Sequence, residues 1–333
     1  MKQPMSPGSV PYRTSSRRGF LTLAGLAAGM AGLASVGLMP AWGAGAGTPA
    51  EQPILSHESF SFLFITDTHL QPELEAAKGC HACFAKARTI GGHFAIQGGD
   101  HIFDALGVAR PRADSLISLY DRTEQDLGMK LHHTIGNHDC FGVYPASGVV
   151  PTDPLYGKKF FEDHFGRLYY AFDHRGVHFI VLDSIGITAD RNYEGRIDAQ
   201  QIAWLGADLA ALPAGRPVIV VSHIPLVTAF DNYAPPPEHP SPYHKNSVIN
   251  AYEVIALLEG HNVLGVLQGH THINETVLWR GIPYITSGAV SGNWWHGTHL
   301  GTPEGFTVVQ VENNRLSTRY ETYGFKSVDP HNT

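Results

Sequence analysis

Residues 60–69 read Phe60-Ser61-Phe62-Leu63-Phe64-Ile65-Thr66-Asp67-Thr68-His69, an apolar run that ends on an acid and an imidazole. Its length and aromatic content predict a buried strand running straight into the polar pair. The same event recurs along the chain. Residues 93–97 predict a strand that ends at Gly98-Gly99-Asp100, and residues 130–135 one that ends at Gly136-Asn137-His138-Asp139. Residues 217–221 lead into Ser222-His223, and residues 263–267 into Gly269-His270-Thr271-His272. Helical patterns at 73–90, 113–127, 199–212 and 254–258 lie between them, the third with Trp204 and Leu205 on its apolar face. A hairpin over 168–173 and 177–183 and short strands at 275–278, 283–286, 307–311 and 316–322 complete the pattern. Alternating strands and helices early, with hairpins late, indicate an α/β core on mixed sheets.

Ligands in open α/β sheets gather outside the carboxyl ends of the strands, so five such ends converging bring these polar groups into one cleft. Residues two apart on extended chain face the same side, roughly 6.5–7 Å apart. Asp67 with His69, and His270 with His272, therefore face one cleft together, with room for two metals about 3.5–4 Å apart. The adjoining Gly98, Gly99, Gly136 and Gly269 allow the tight turns that aim them. Any one of these residues alone reads better as a turn or core residue. Seven of suitable type, in order and at strand ends, read as a metal centre.

The ordered string D-x-H, GD, GNHD, H, GHxH resembles the calcineurin-like metallophosphoesterase superfamily, in the arrangement of its bacterial cyclic-nucleotide-phosphodiesterase-like branch. The resemblance runs from about Phe60 to Trp279. It implies two packed mixed β-sheets flanked by helices, with the metal site at the strands' C-terminal ends. It also implies that Asp67, His69 and His272 hold one metal, that Asn137, His223 and His270 hold the other, and that Asp100 bridges both. His138 would contact the phosphate or protonate the leaving group, and Asp139 would orient it. The implied activity is phosphate-ester hydrolysis by in-line attack of a hydroxide bridging two divalent ions, with diesters ahead of monoesters. Two ions against the charges of Asp67 and Asp100 leave the site near +2, which attracts phosphate. Red-purple acid phosphatases carry a ligating tyrosine three residues after the bridging aspartate. Here that position is Phe103, so nothing requires Fe(III), and the N/O ligand set suits Mn, Fe or Zn. Residues 59–280 would form the phosphoesterase domain, with 281–333 as a C-terminal β extension packed on it. Ser287 to Trp295 resembles an extension found in some members.

The rest of the sequence limits the alternatives. Of 333 residues 43% are hydrophobic and 16% charged, enough for a substantial core. Without the first 46 residues, 19 basic face 30 acidic side chains, which argues against a nucleic-acid polymer as partner. A small phosphate ester is the expected one. With 20 histidines in the chain, single ones count for little; His93, His101, His244, His296 and His299 read as surface or loop residues, the last three with some claim on the cleft. Trp294 and Trp295 suit an apolar pocket wall and core packing equally. Cys80 and Cys83 read as small residues packed on one helix face, against a redox pair or local disulfide as the lesser reading.

Ser16-Arg17-Arg18-Gly19-Phe20-Leu21 is a twin-arginine pattern, followed by a moderately apolar stretch and small residues at Ala44-Gly45-Ala46. Residues 1–46 are expected to be a cleaved signal peptide engaging the twin-arginine export machinery, and 47–58 a linker. The mature protein would be periplasmic or extracellular without stable membrane insertion. Two long Gly/Pro-rich loops, residues 141–157 and 228–250, are candidates for the pocket wall. A catalytically silent binding protein of the same fold is the rival reading, against which the intact ligand string counts. A single-metal peptidase or serine hydrolase lacks its H-E-x-x-H or G-x-S-x-G motif.

Overall fold

The computed structural model describes residues 58–236 and 241–333; the twin-arginine segment and most of the expected linker lie outside them. β1 (Phe60–Ile65) is followed by α1 (Ala76–Ile90), β2 (Ala95–Gln97), α2 (Arg110–Glu124) and β3 (Leu131–His133). Next come α3 (Lys159–Phe165), the hairpin β4 (Tyr170–His174) and β5 (Val177–Leu182), and a small hairpin β6 (Ile185–Ile187) and β7 (Tyr193–Gly195). α4 (Ala199–Ala211), β8 (Pro217–Ser222), the single turn α5 (Phe230–Tyr233), α6 (Ala251–Leu258) and β9 (Asn262–Gln268) follow. β10 (Glu275–Trp279), β11 (Ile282–Thr286), β12 (Gly305–Glu312) and β13 (Arg315–Thr322) close the chain.

Two mixed sheets result, in the orders β13-β12-β1-β2-β3 and β10-β11-β9-β8-β5-β4. β1, β2 and β3 are parallel, as are β5, β8, β9 and β11, so each sheet presents several carboxyl ends at one edge. β1 shows why the opening stretch is apolar at nearly every position. Phe60, Phe62 and Phe64 point between the sheets, against Phe179, Val221 and Leu267, whereas Leu63 and Ile65 point at the α1 and α2 side. A strand covered on both faces gains burial from both residue parities. The second sheet is covered on its outer face by α4 and α6, through Leu205, Leu209, Val254 and Leu258.

The expected elements are present, and their ends differ for local reasons. α1 begins at Ala76 rather than residue 73 because Leu74 and Glu75 have φ of 54°, outside the helical region. α2 begins earlier than expected, at Arg110, with Pro111 in its first turn, where the missing N–H is not needed. Cys80 and Cys83 are free, buried thiols on one face of α1. α3 and the β6-β7 hairpin were not anticipated; each is too short to show a clear period. Among the described residues no helix is long and apolar enough to cross a membrane.

Candidate metal centre

Every expected site residue stands just beyond a strand's carboxyl end. Asp67 and His69 follow β1, Asp100 follows β2, and Asn137 follows β3 in a short 3-10 turn. His223 follows β8, and His270 and His272 follow β9. The backbone turns sharply at these points: Asp67, His69, Asp100, His270 and His272 all have φ between 37° and 73°. Left-handed backbone in non-glycine residues is costly, and its concentration at one site marks a place held by its surroundings. Gly99, with φ of 108°, and Gly136 make room. A Cβ on Gly99 would overlap the His223 ring, and one on Gly136 would overlap Asp100.

The side chains fall into two clusters of metal-compatible groups, Asp67/His69/His272 and Asp100/His223/His270. His69 Nε2 lies 3.1 Å from His272 Nε2 and 3.5 Å from Asp100 Oδ2. His272 Nε2 lies 3.4 Å from Asp67 Oδ1. On the other side, His223 Nε2 is 3.2 Å from Asp100 Oδ2 and 3.3 Å from Asn137 Oδ1. Asp100 thus faces a histidine from each cluster.

Hydrogen bonds on the far side of the rings fix what these nitrogens offer. His272 Nδ1 donates to the Gly292 carbonyl at 2.6 Å, His223 Nδ1 to Gly98 O at 2.8 Å, and His69 Nδ1 to Phe103 O at 3.4 Å. A carbonyl only accepts, so in the neutral rings each Nε2 is a lone pair aimed into the site. Two lone pairs 3.1 Å apart, as in His69 and His272, repel each other unless a cation lies between them. Two nitrogens about 2.0–2.1 Å from one zinc-like ion lie about 3 Å apart, so the spacing fits. The buried Nδ2 of Asn137 and Nδ1 of His270 have no hydrogen-bond partner among the described residues.

The charges fit as well. Burial pushes the Asp67 carboxyl up, but the His272 and His223 rings outweigh it and hold it well below the usual range. Asp100 is likewise held low, burial being overcome by His223 and His138. Burial, with the His223 ring beside it, presses His270 down to about 3, while Asp100 overcomes burial to raise His223 to about 9. Two buried carboxylates require positive charge. Protein atoms alone supply it as protons, and divalent ions would replace them.

The flanking residues correct some expectations. Asp139 does not orient His138. Its carboxylate accepts from the backbone N–H of Gly136, Asp100 and His101 at 2.9–3.0 Å and from His101 Nδ1 at 2.9 Å, locking the Asp100 turn to the Asn137 turn. The carboxylate facing the His138 ring is that of Asp104, 3.6 Å from Nδ1; it also caps its own turn through the N–H groups of Leu106 and Gly107. Burial alone would lower the His138 pKa, but Asp100 and Asp104 raise it to about 9. His101 is no surface residue. It is fully buried, its Nε2 3.0 Å from His133 Nδ1, because partners more than 30 residues away receive it. The two tryptophans divide: Trp295 is buried and donates from Nε1 to Thr68 O and His69 O, whereas the Trp294 ring lies tilted against His272, 4.4 Å between centres, and lines the cleft.

That cleft encloses about 610 Å³ and opens over Asp100, His138, His270 and His272. His244 and His299 line it, while His296 stands outside beside Asp329. The 228–250 loop contributes Phe230, Tyr243 and Lys245, and Tyr193 comes from the unanticipated hairpin. Loop 141–157 is folded under Arg191, whose guanidinium donates to the carbonyls of Gly142, Val143, Tyr144 and Val149.

The sequence profile of the calcineurin-like phosphoesterase family matches residues 60–274. Comparison with curated proteins finds no match. Among solved structures, a dimetal phosphatase from Danio rerio superposes with a TM-score of 0.55 at 17% identity, covering 79% of this chain and 96% of that one. A purple acid phosphatase from yellow lupin (Lupinus luteus) seeds superposes with a TM-score of 0.52 at 12% identity, covering 82% of this chain and 53% of that one. At these identities the likeness shows a shared fold.

Proposed function

The chain belongs to the calcineurin-like phosphoesterase family, a metal-dependent phosphoester hydrolase by that membership, and we propose that it cleaves phosphodiesters ahead of monoesters. The observation that carries this reading is the pair of clusters with Asp100 facing a histidine of each, lone pairs and carboxylates packed 3.1–3.5 Å apart and buried. Asp67, His69 and His272 would hold one divalent ion and Asn137, His223 and His270 the other, with Asp100 between them. Two such ions supply Lewis-acid charge to the phosphoryl oxygens and lower the pKa of water.

The chain's own groups do the remaining work. The Asp139 carboxylate keeps the Asp100 and Asn137 turns in register, so the donor set is preformed. His138 carries a proton into the cleft on the nitrogen away from Asp104 and delivers it to the departing alkoxide. Diester preference is supported by the walls. Trp294 rises beside His272 and Tyr193 beside His270, its ring 6.3 Å from that imidazole, so the cleft extends past both clusters. A diester has a substituent for each side.

Localisation is part of the same proposal. The Arg17-Arg18 pattern supports export by the twin-arginine route to the periplasm or beyond, by a pathway that carries folded proteins.

The test measures metal per chain together with hydrolysis of bis-p-nitrophenyl phosphate and p-nitrophenyl phosphate. Wild type should bind about two metals and favour the diester. Asp100→Ala should lose both metals, and His138→Ala should keep them but turn over slowly. Two bound metals with no turnover of either ester under any metal loading would return the reading to a binding protein of this fold.

A further inference from the structure

Lys245 stands in the cleft wall with unusual company. Its Nζ lies 4.4 Å from the centre of the Tyr193 ring and 5.5 Å from that of Tyr144, and it donates to the Tyr144 hydroxyl at 3.3 Å. Among the described residues no carboxylate lies within ion-pair distance of it. Burial alone pulls its ammonium below the usual lysine value, with no acid opposing the shift. The Tyr193 ring, largely buried, lines the same cleft. The acids on the same loops have partners of their own: Glu194 pairs with Arg196, and Asp231 and Asp190 accept from the neutral Asn246 and Tyr243.

A desolvated cation without a counter-ion is costly unless something anionic arrives. Faces of two tyrosines offset part of that cost through their ring quadrupoles. They also hold the ammonium on a rigid platform that the Arg191 staple fixes from below, through the Tyr144 carbonyl. The platform is one ring away from the metal candidates, because Tyr193 meets the His270 imidazole edge-on at 6.3 Å. A cation at that remove is placed for a group beyond the scissile phosphate.

We propose that Lys245, seated over the Tyr193 and Tyr144 rings, forms an anion subsite, and that the substrates are phosphate esters carrying a second anionic group on the His270 side. This rests on the phosphoesterase reading for the position of the first phosphate. The second anion is a carboxylate or a further phosphate, both of which accept from an ammonium. Trp294, which lines the same cleft beside His272, offers an apolar face to the other substituent. The cleft therefore orients the substrate, charged end toward Lys245 and apolar end toward Trp294.

The experiment reads binding rather than turnover. The Mn-loaded protein is titrated calorimetrically with phenylphosphonate and with 4-carboxyphenylphosphonate, a matched pair that differs by one remote carboxylate. Wild type should bind the carboxylated ligand about tenfold more tightly, the size of one charge-assisted contact. Lys245→Met should bring the ratio near one, and Lys245→Arg should keep most of it, with thermal unfolding showing that both variants fold. A ratio near one in wild type, or a preference that survives Lys245→Met, overturns the subsite. Equal weakening of both ligands in Lys245→Met also overturns it, since the lysine would then serve the first phosphate. Turnover of the corresponding phosphate esters is assayed in parallel. Preference without turnover sinks the hydrolase reading and leaves the subsite standing.

Discussion

Asp104 and Gly99 carry much of the site without being ligands. The Asp104 carboxylate lies against His138 Nδ1 and holds the ring's charge in place. Asp104→Asn keeps the shape and one of the two caps on Leu106 and Gly107 while removing the charge. Metal content should remain as in wild type and kcat should fall by about tenfold or more, within the range assigned to a positioned acid. A fall confined to KM would remove Asp104 from the proton's support. Gly99 answers to sterics. Its φ of 108° and the His223 ring against its α-carbon leave no space for a methyl group. Gly99→Ala should cost about 1–3 kcal/mol through overpacking and displace His223, lowering Tm and metal occupancy together. Wild-type occupancy in this variant would mean that the ring has another resting place.

At the scale of elements, the two sheets are joined at one edge by a stack. The His132 ring of β3 lies parallel to Phe172 of β4, 3.7 Å between centres, and meets Phe94 edge-on. Burial, then Lys130 and His174, press His132 down to about 4. A histidine whose folded pKa is depressed gives stability that is whole above its unfolded value near 6.5. That stability is lost as pH falls through the interval down to about 4, where only the unfolded chain takes the proton. Tm should therefore decline across this window more steeply in wild type than in His132→Phe. Parallel profiles in the two proteins would assign the acid sensitivity elsewhere. The elements also show what sequence makes legible. Long apolar runs with polar groups just past them announced β1, β8 and β9 together with Asp67, His223 and His270, because burial on two faces leaves an unbroken apolar signature. Lys245, Tyr144 and Tyr193 left no such trace. They sit on loops and a three-residue strand without period, and only tertiary folding brings them together. His101 was misread for the same reason: its partners Asp139 and His133 are remote in sequence, and nothing local shows that the turn faces inward.

Across the whole molecule, the candidate ligands are divided between the sheets. Asp67, His69, Asp100 and Asn137 follow strands of one, and His223, His270 and His272 follow strands of the other. Ions bound there would join the sheets as a cross-link, and a ligand held by the folded state alone raises its stability by mass action. Chelation should lower Tm, and added Mn or Zn should restore it, with a gain in unfolding free energy of about 3–4 kcal/mol at 100 to 1,000 times the dissociation constant. A Tm indifferent to metal would mean that the donors do not act as one site. The order in which these pieces leave the ribosome is a separate matter. β1, which delivers Asp67, lies hydrogen-bonded between β2 and β12, and β12 is made from residues 305–312. The Asp67 and Thr66 carbonyls likewise accept from Ser291 and Val290. The earliest candidate ligand synthesised thus waits for residues 305–312 before its strand is flanked on both sides. Nascent protein stalled short of residue 305 lacks that partner, so capture of a metal through Asp67 would follow the synthesis of β12.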